Sequence, residues 1–152
     1  MIPRTAWRGD RRTRSLARGR RVADRPKSNL PKAKDNHTGY ADLVTDSATA
    51  ADRPAIALML GATKDVMARN RLAAKAIELG DQAHFGVFVA GLSSKDVYDR
   101  SDSANFLAQV AEHAPADLKP QLIELLTKGK AGDSGGLTAM GYDEALKKLG
   151  AP

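Results

Sequence analysis

The side chains best equipped for chemistry are the arginines crowded at the start of the chain. Arg4, Arg8, Arg11, Arg12, Arg14, Arg18, Arg20 and Arg21 fall within the first 21 residues, with Trp7 and Gly9 among them. Guanidinium groups present planar forks of donors that pair bidentately with phosphate oxygens, and an indole can stack on a base or fill a groove. Arginine, rather than lysine, dominates the run, which fits planar recognition of phosphate. Together with Trp7 these residues are the candidate nucleic-acid contacts. A solubilising tail and an organellar transit segment have related compositions. Asp10, weak amphipathicity and the density of arginine argue against the transit segment.

Other chemistry-bearing patterns are weaker. Gly132-Asp133-Ser134-Gly135-Gly136 resembles the loop around the nucleophile of chymotrypsin-like serine proteases, a likeness of five residues. That chemistry needs a His base held by a buried Asp on a β scaffold larger than this chain, whereas the flanking sequence here is helical. A Gly-Ser linker between two helices accounts for the pattern, and Ser134 is not assigned as catalytic. Asp96, Asp99 and Asp102 recur every third residue without the alternating ligands, turn glycine and closing Glu of a calcium loop, so they read as solvated helix caps. His84 and His113 lack the paired spacing of metal ligands. Gly61 stands without the Lys-Ser or Lys-Thr that completes a phosphate loop, and Arg8-Gly9-Asp10, a tripeptide presented by many integrin ligands, is expected by chance in so arginine-rich a run. No catalytic residue, metal ligand or cofactor is therefore assigned.

Charge divides the chain. Residues 1–34 hold nine Arg and three Lys against Asp10 and Asp24, a net of +10, so the remainder carries twelve basic and sixteen acidic groups, a net of −4. The overall +6 describes neither part. A strongly basic segment joined to a mildly acidic body points to a polyanionic partner, because phosphate contacts release counterions whatever the base sequence. The chain has no cysteine, which removes disulfides, thiol chemistry and thiolate metal sites. No apolar run approaches the ~20 residues of a membrane span, and the N-terminus lacks the apolar core of a secretory signal.

The elements that would carry these residues are helices. Residues 1–39, with Pro3, Pro26, Pro31 and few apolar side chains, read as an extended arm; a helix over Arg11–Ala23 is conceivable on a partner. Tyr40–Ala51 reads as a connector. From Asp52 to Gly80 one helical periodicity runs through Ile56, Met59, Leu60, Thr63, Val66, Met67, Asn70, Ala73, Ala74 and Ile77. Asp52 is expected to cap it, Pro54 to sit in its first turn, Gly80 to end it, and Gly61 to be the place where it divides if it divides. His84–Leu92 is a short apolar run favouring helix over strand. Ser93 or Ser94 is expected to cap a short helix through Asp99, and Asp102 or Ser103 to open another that Pro115 stops. The next carries Leu118, Leu122, Leu125 and Leu126 on one stripe and is expected to end at Gly129. After a glycine-rich connector, Tyr142, Ala145, Leu146 and Leu149 share a face of a last helix, too short to stand alone.

The expectation is an all-α, bundle-like domain of about five to six helices, one long, with helices near residues 53–79, 83–92, 94–100, 103–114, 117–128 and 141–149. Its division is an arm over 1–39, a helical body over 40–128, and a glycine-rich connector with a docking helix over 129–152. Such a chain suits a non-enzymatic structural protein of a large nucleoprotein particle, a minor virion or capsid-associated protein, whose partners are protein subunits and, through the arm, nucleic acid. Its expected place is the virion or an intracellular nucleoprotein assembly. A regulatory nucleic-acid-binding module is the alternative, although Arg69, Arg71 and Lys75 on one helix are offset by Asp65 and Glu78; an organelle-targeted helical protein is another.

Overall fold

Helix α4, Val97–Val110, is the element against which most of the others are laid. The computed structural model describes residue 41, residues 45–133 and residues 139–152, and among these residues there is no strand. The all-α class expected from the periodicities is therefore observed. The arm residues and the expected helix over Arg11–Ala23 lie outside the described residues.

Around α4 stand α1 (Arg53–Ala62), α2 (Val66–Glu78), α3 (Phe85–Leu92), α5 (Lys119–Gly132) and α6 (Ala139–Leu149). Helices α2, α3 and α6 pack directly on α4, α5 packs on α6 and α3, and α1 joins the body through α2. The core gathers one or two large side chains from each: Ile56, Leu72, Phe85, Phe88, Leu107, Val110, Leu122, Leu126 and Tyr142 are all fully buried. Phe85 and Phe88 meet edge to face, with centroids 6.1 Å apart, a geometry the ring quadrupoles favour.

The long helix is two. Its break lies beyond Gly61, where Thr63 turns extended and Asp65 accepts a hydrogen bond from the Ala68 amide at 2.7 Å as the N-cap of α2. A capping carboxylate competes with helix continuation, and the break resets the phase. Thr63 is buried as the stripe required, but Met67 is 43% exposed. Asp52 does not cap α1 forwards. It is fully buried, and its carboxylate turns back to the Thr49 amide (2.8 Å) and hydroxyl (2.9 Å), leaving Pro54 in the first turn of α1 as expected. Gly80 takes φ of 94° and closes α2, its amide donating to Ile77 O and that of Asp81 to Ala76 O.

Two further boundaries differ. The segments 94–100 and 103–114 form one helix, α4, which Asp96 caps by accepting from the Tyr98 amide at 2.7 Å; a short 3-10 turn, Ala111–His113, follows it. Ser94 does not cap it: its hydroxyl donates to Asp99 Oδ2 (2.8 Å). Asp102 and Ser103 sit mid-helix because their side chains accept from Asn70 on α2 instead of bonding to nearby backbone, which removes the usual reason such residues break helices. Helix α5 runs past Gly129 to Gly132, and Gly129 is buried within it. His84–Leu92 is helical, its first residue closing a 3-10 turn over Gln82–His84.

Helix α6 docks on the body of its own chain. Tyr142, Ala145 and Leu149 are buried as the stripe predicts, Leu146 is half-buried, and Lys148 Nζ donates to Ala108 O at 2.7 Å. Close approach depends on Gly141 and Gly129. A Cβ on Gly141 would fall 2.1 Å from Asn105 Oδ1, and one on Gly129 would fall 2.7 Å from the Tyr142 ring.

Candidate functional site

None of the candidate nucleic-acid contacts, Arg4, Trp7, Arg8, Arg11, Arg12, Arg14, Arg18, Arg20 and Arg21, is among the described residues, so the geometry concerns the body onto which they lead. There the polar chemistry is gathered at three places along α4.

At its N-terminal end is a buried triad. The first turns of α4 carry Arg100, the end of α5 delivers Asp133, and the start of α6 delivers Tyr142. Arg100 Nε donates to Asp133 Oδ2 at 2.9 Å and Nη2 to Oδ1, the two forming a bidentate pair, while Nη1 donates to Ser94 O at 2.8 Å. The Tyr142 hydroxyl donates to Asp133 Oδ2 at 2.6 Å. Asp133 is 6% exposed and Tyr142 is wholly buried. The guanidinium and the phenol hydroxyl hold the Asp133 carboxyl below the usual carboxylate range, although burial opposes them. Burial, reinforced by the adjoining carboxylate, pushes Tyr142 well above an ordinary phenol, and Asp133 raises Arg100 in turn. No member of this set can give or take a proton near neutral pH. Chemically it is a clamp, tying three helices by one carboxylate. A cleft of about 410 Å³ opens beside it, lined by Arg100, Asp133, Leu92, Leu125 and Lys128 among others.

Asp133 is also the second residue of the protease-like pentapeptide. Its neighbour Gly132 is helical and its carboxylate is committed to Arg100 and Tyr142. Ser134, Gly135 and Gly136 lie outside the described residues. The flanking helices are those expected of a linker, not the β scaffold that the protease loop requires.

Midway along α4 lies a second polar layer. Asn70, fully buried on α2, donates from Nδ2 to Asp102 Oδ2 and to Ser103 Oγ, both at 2.9 Å. Its Oδ1 accepts no hydrogen bond among the described residues. Gly91 on α3 makes room for this layer: a Cβ there would fall 1.9 Å from Ser103 Oγ. Burial pushes the Asp102 carboxyl above its ordinary value and the Asn70 hydrogen bond offsets part of the rise. The three aspartates thus take three separate roles. Asp96 caps a helix, Asp99 receives Ser94, and Asp102 meets Asn70.

The third place is a recess of about 340 Å³ between α2 and α4, lined also by Thr45 and Asp46. Arg71 lies over the Phe106 ring, its guanidinium carbon 5.4 Å from the centroid, a separation at which the ring quadrupole attracts a cation. Lys75, which pairs with Glu78 at 3.3 Å, and the exposed Gln109 complete the polar wall.

The two described histidines are local. His84 Nε2 lies 3.3 Å from Asp81 and His113 Nε2 lies 3.6 Å from Glu112. No group of three His, Asp or Glu among the described residues is placed to hold a metal ion. No helix of the described residues is long and apolar enough to cross a membrane. Reading the sequence missed Asn70, Arg71 with Phe106, and the Arg100–Asp133–Tyr142 triad as polar centres. Only Asn70 left a local trace, as an amide within an otherwise apolar stripe. The others depend on partners distant in sequence, as the Arg100–Asp133 separation of 33 positions illustrates. Comparison of the chain with protein-family models, curated proteins and solved structures finds no match.

Proposed function

We propose that the protein is an assembly component of a nucleoprotein particle, its helical body seated among protein subunits and its arginine-rich arm laid along nucleic acid. The observation that carries this reading is the segregation of charge. Twelve basic groups against two acidic ones occupy residues 1–34. The remaining twelve basic groups are outnumbered by sixteen acidic ones, and four of them pair within the body: Lys75 with Glu78, Arg100 with Asp133, Lys130 with Asp143 and Lys148 with Glu144. A body with a net of −4 has little pull on a polyanion, whereas a segment with a net of +10 has a strong one.

Within that class we favour a minor virion or capsid-associated protein, on the combination of a small helical body with a basic arm. The test is incorporation. A full-length chain with Arg8, Arg11, Arg12, Arg14, Arg18, Arg20 and Arg21 changed to Gln should fold as the parent does but fail to co-sediment with the nuclease-sensitive particle that the parent enters. Undiminished incorporation of that variant would reject the reading.

A further inference from the structure

The recess between α2 and α4 has the dimensions and chemistry of a nucleobase pocket. Its lining includes Arg71 and the half-buried Phe106, the guanidinium carbon standing over the ring. Planar cations and aromatic rings are the surfaces on which unpaired bases stack, and every base offers a π-face to them. Its wall holds Gln109, whose amide can both donate and accept, and Asp46, whose carboxylate can accept from an exocyclic amine as acidic side chains do from cytosine N4. At its edge Lys75 supplies a cation within reach of a backbone phosphate. Arg71 and Lys75 are balanced by Asp46 and Glu78 at the rim, so the interior is polar without a net charge, as suits a neutral base more than a phosphate. A volume of about 340 Å³ holds a base and its sugar but not a base pair within its duplex.

Position favours the same occupant. Thr45 and Asp46 line the recess, and Gly39, the last residue of the arm, stands six positions before Thr45. Fully extended, that length spans no more than about 20 Å. The last candidate contact of the arm, Arg21, stands 24 positions before Thr45, a reach of no more than about 85 Å, so a strand held by the arm has the recess within the length of the tether.

We infer that this recess accepts an unpaired base of a single-stranded nucleic acid, stacked on Arg71 and Phe106, so that the arm supplies affinity and the body supplies a preference for single strands. The inference rests on the reading of the arm as a polyanion anchor, and the experiment separates the two. Binding of the full chain is measured for a single-stranded DNA of about 20 nucleotides, the matching RNA, and the duplex of each. Two variants accompany it: Phe106→Leu, which keeps an apolar side chain against the core but removes the ring, and Gln109→Ala on the exposed surface, which leaves the packing untouched.

The parent should hold at least one single strand more tightly than its duplex. Phe106→Leu should weaken that single-strand binding about fivefold to a hundredfold, the range of one lost base stack, and leave duplex binding unchanged. Gln109→Ala should lower single-strand affinity in the same selective way by a smaller factor. Equal affinity for both forms, or a loss in Phe106→Leu that is the same for both, overturns the base pocket while leaving the arm as an anchor. If the parent binds none of the four, both readings fall.

Discussion

Replacing Asp133 with Ala should be among the most costly single changes in the body. The substitution strands two groups at once: a guanidinium whose side chain is only 21% exposed and a phenol hydroxyl in a residue that is wholly buried. Breaking a buried ion pair by removing one partner costs about 3–5 kcal/mol. Because a fifth of the Arg100 side chain still meets solvent, the lower end applies to the pair, and the orphaned hydroxyl adds about 1 kcal/mol. The sum, about 4 kcal/mol, corresponds to a fall in Tm of about 10 °C for a chain of this size. Thermal unfolding followed by circular dichroism at neutral pH reads it directly. The double variant Asp133→Ala/Arg100→Met should recover part of the loss, since no charge then remains buried.

Acid adds an independent reading of the same triad. The folded carboxyl of Asp133 is held below its unfolded value by Arg100, so the unfolded chain takes up the proton first. The stabilisation from this group is complete above about pH 4 and is lost as pH falls through the folded value. The stability gap between the parent and Asp133→Asn should accordingly narrow in acid. A cost below about 1 kcal/mol for Asp133→Ala, in the range of an exposed ion pair, with a gap that does not respond to acid, would refute the reasoning.

Three further outcomes follow from the packing. Gly141→Ala and Gly129→Ala should each cost about 1–3 kcal/mol in chemical denaturation, because their added methyl groups meet Asn105 and the Tyr142 ring at overlapping distances. Gly91→Ala should cost at least as much, since its methyl would displace Ser103 from Asn70, and a control change at the exposed Gly86, whose Cβ would meet nothing within 4 Å, should not destabilise. Asp102→Asn should raise stability at pH 7: burial lifts the carboxyl in the folded state, so the folded chain binds the proton more readily and stability falls as pH rises above the unfolded value. Parallel melts of the parent and Asp102→Asn at pH 4 and pH 7 would show the variant's advantage growing with pH.

The helical class was legible because α5 and α6 each carry a stripe that meets the core where the periodicity places it, as does α2 from Asn70 onward. Gly80 and Pro54 likewise act where local conformational preferences require. Boundaries failed where a tertiary partner overrode a local preference. Asp102 and Ser103 look like a helix start until Asn70 occupies them, and Asp52 looks like a forward cap until Thr49 claims its carboxylate. Gly129 looks like a helix end, yet it lies inside α5 because Tyr142 needs the space that a side chain would fill. The triad was invisible for the same reason. Nothing near Arg100 in sequence announces Asp133, and only folding brings α5 and α6 to the start of α4. The arm lies outside the described residues, and its reading as a phosphate anchor rests on composition alone, since phosphate attraction needs charge density and no fold.

The central claim is that the arm, and not the body, grips a polyanion, and a salt titration tests it most directly. Full-length protein and the variant with seven arm arginines changed to Gln are titrated onto an unrelated DNA fragment at several salt concentrations. If about seven guanidinium groups engage phosphates, log K for the parent should fall against log salt with a slope of about −6 on a duplex, and the variant should show a slope near zero with little binding left. A parent that binds no nucleic acid, or a variant that keeps the parent's slope, would contradict the account.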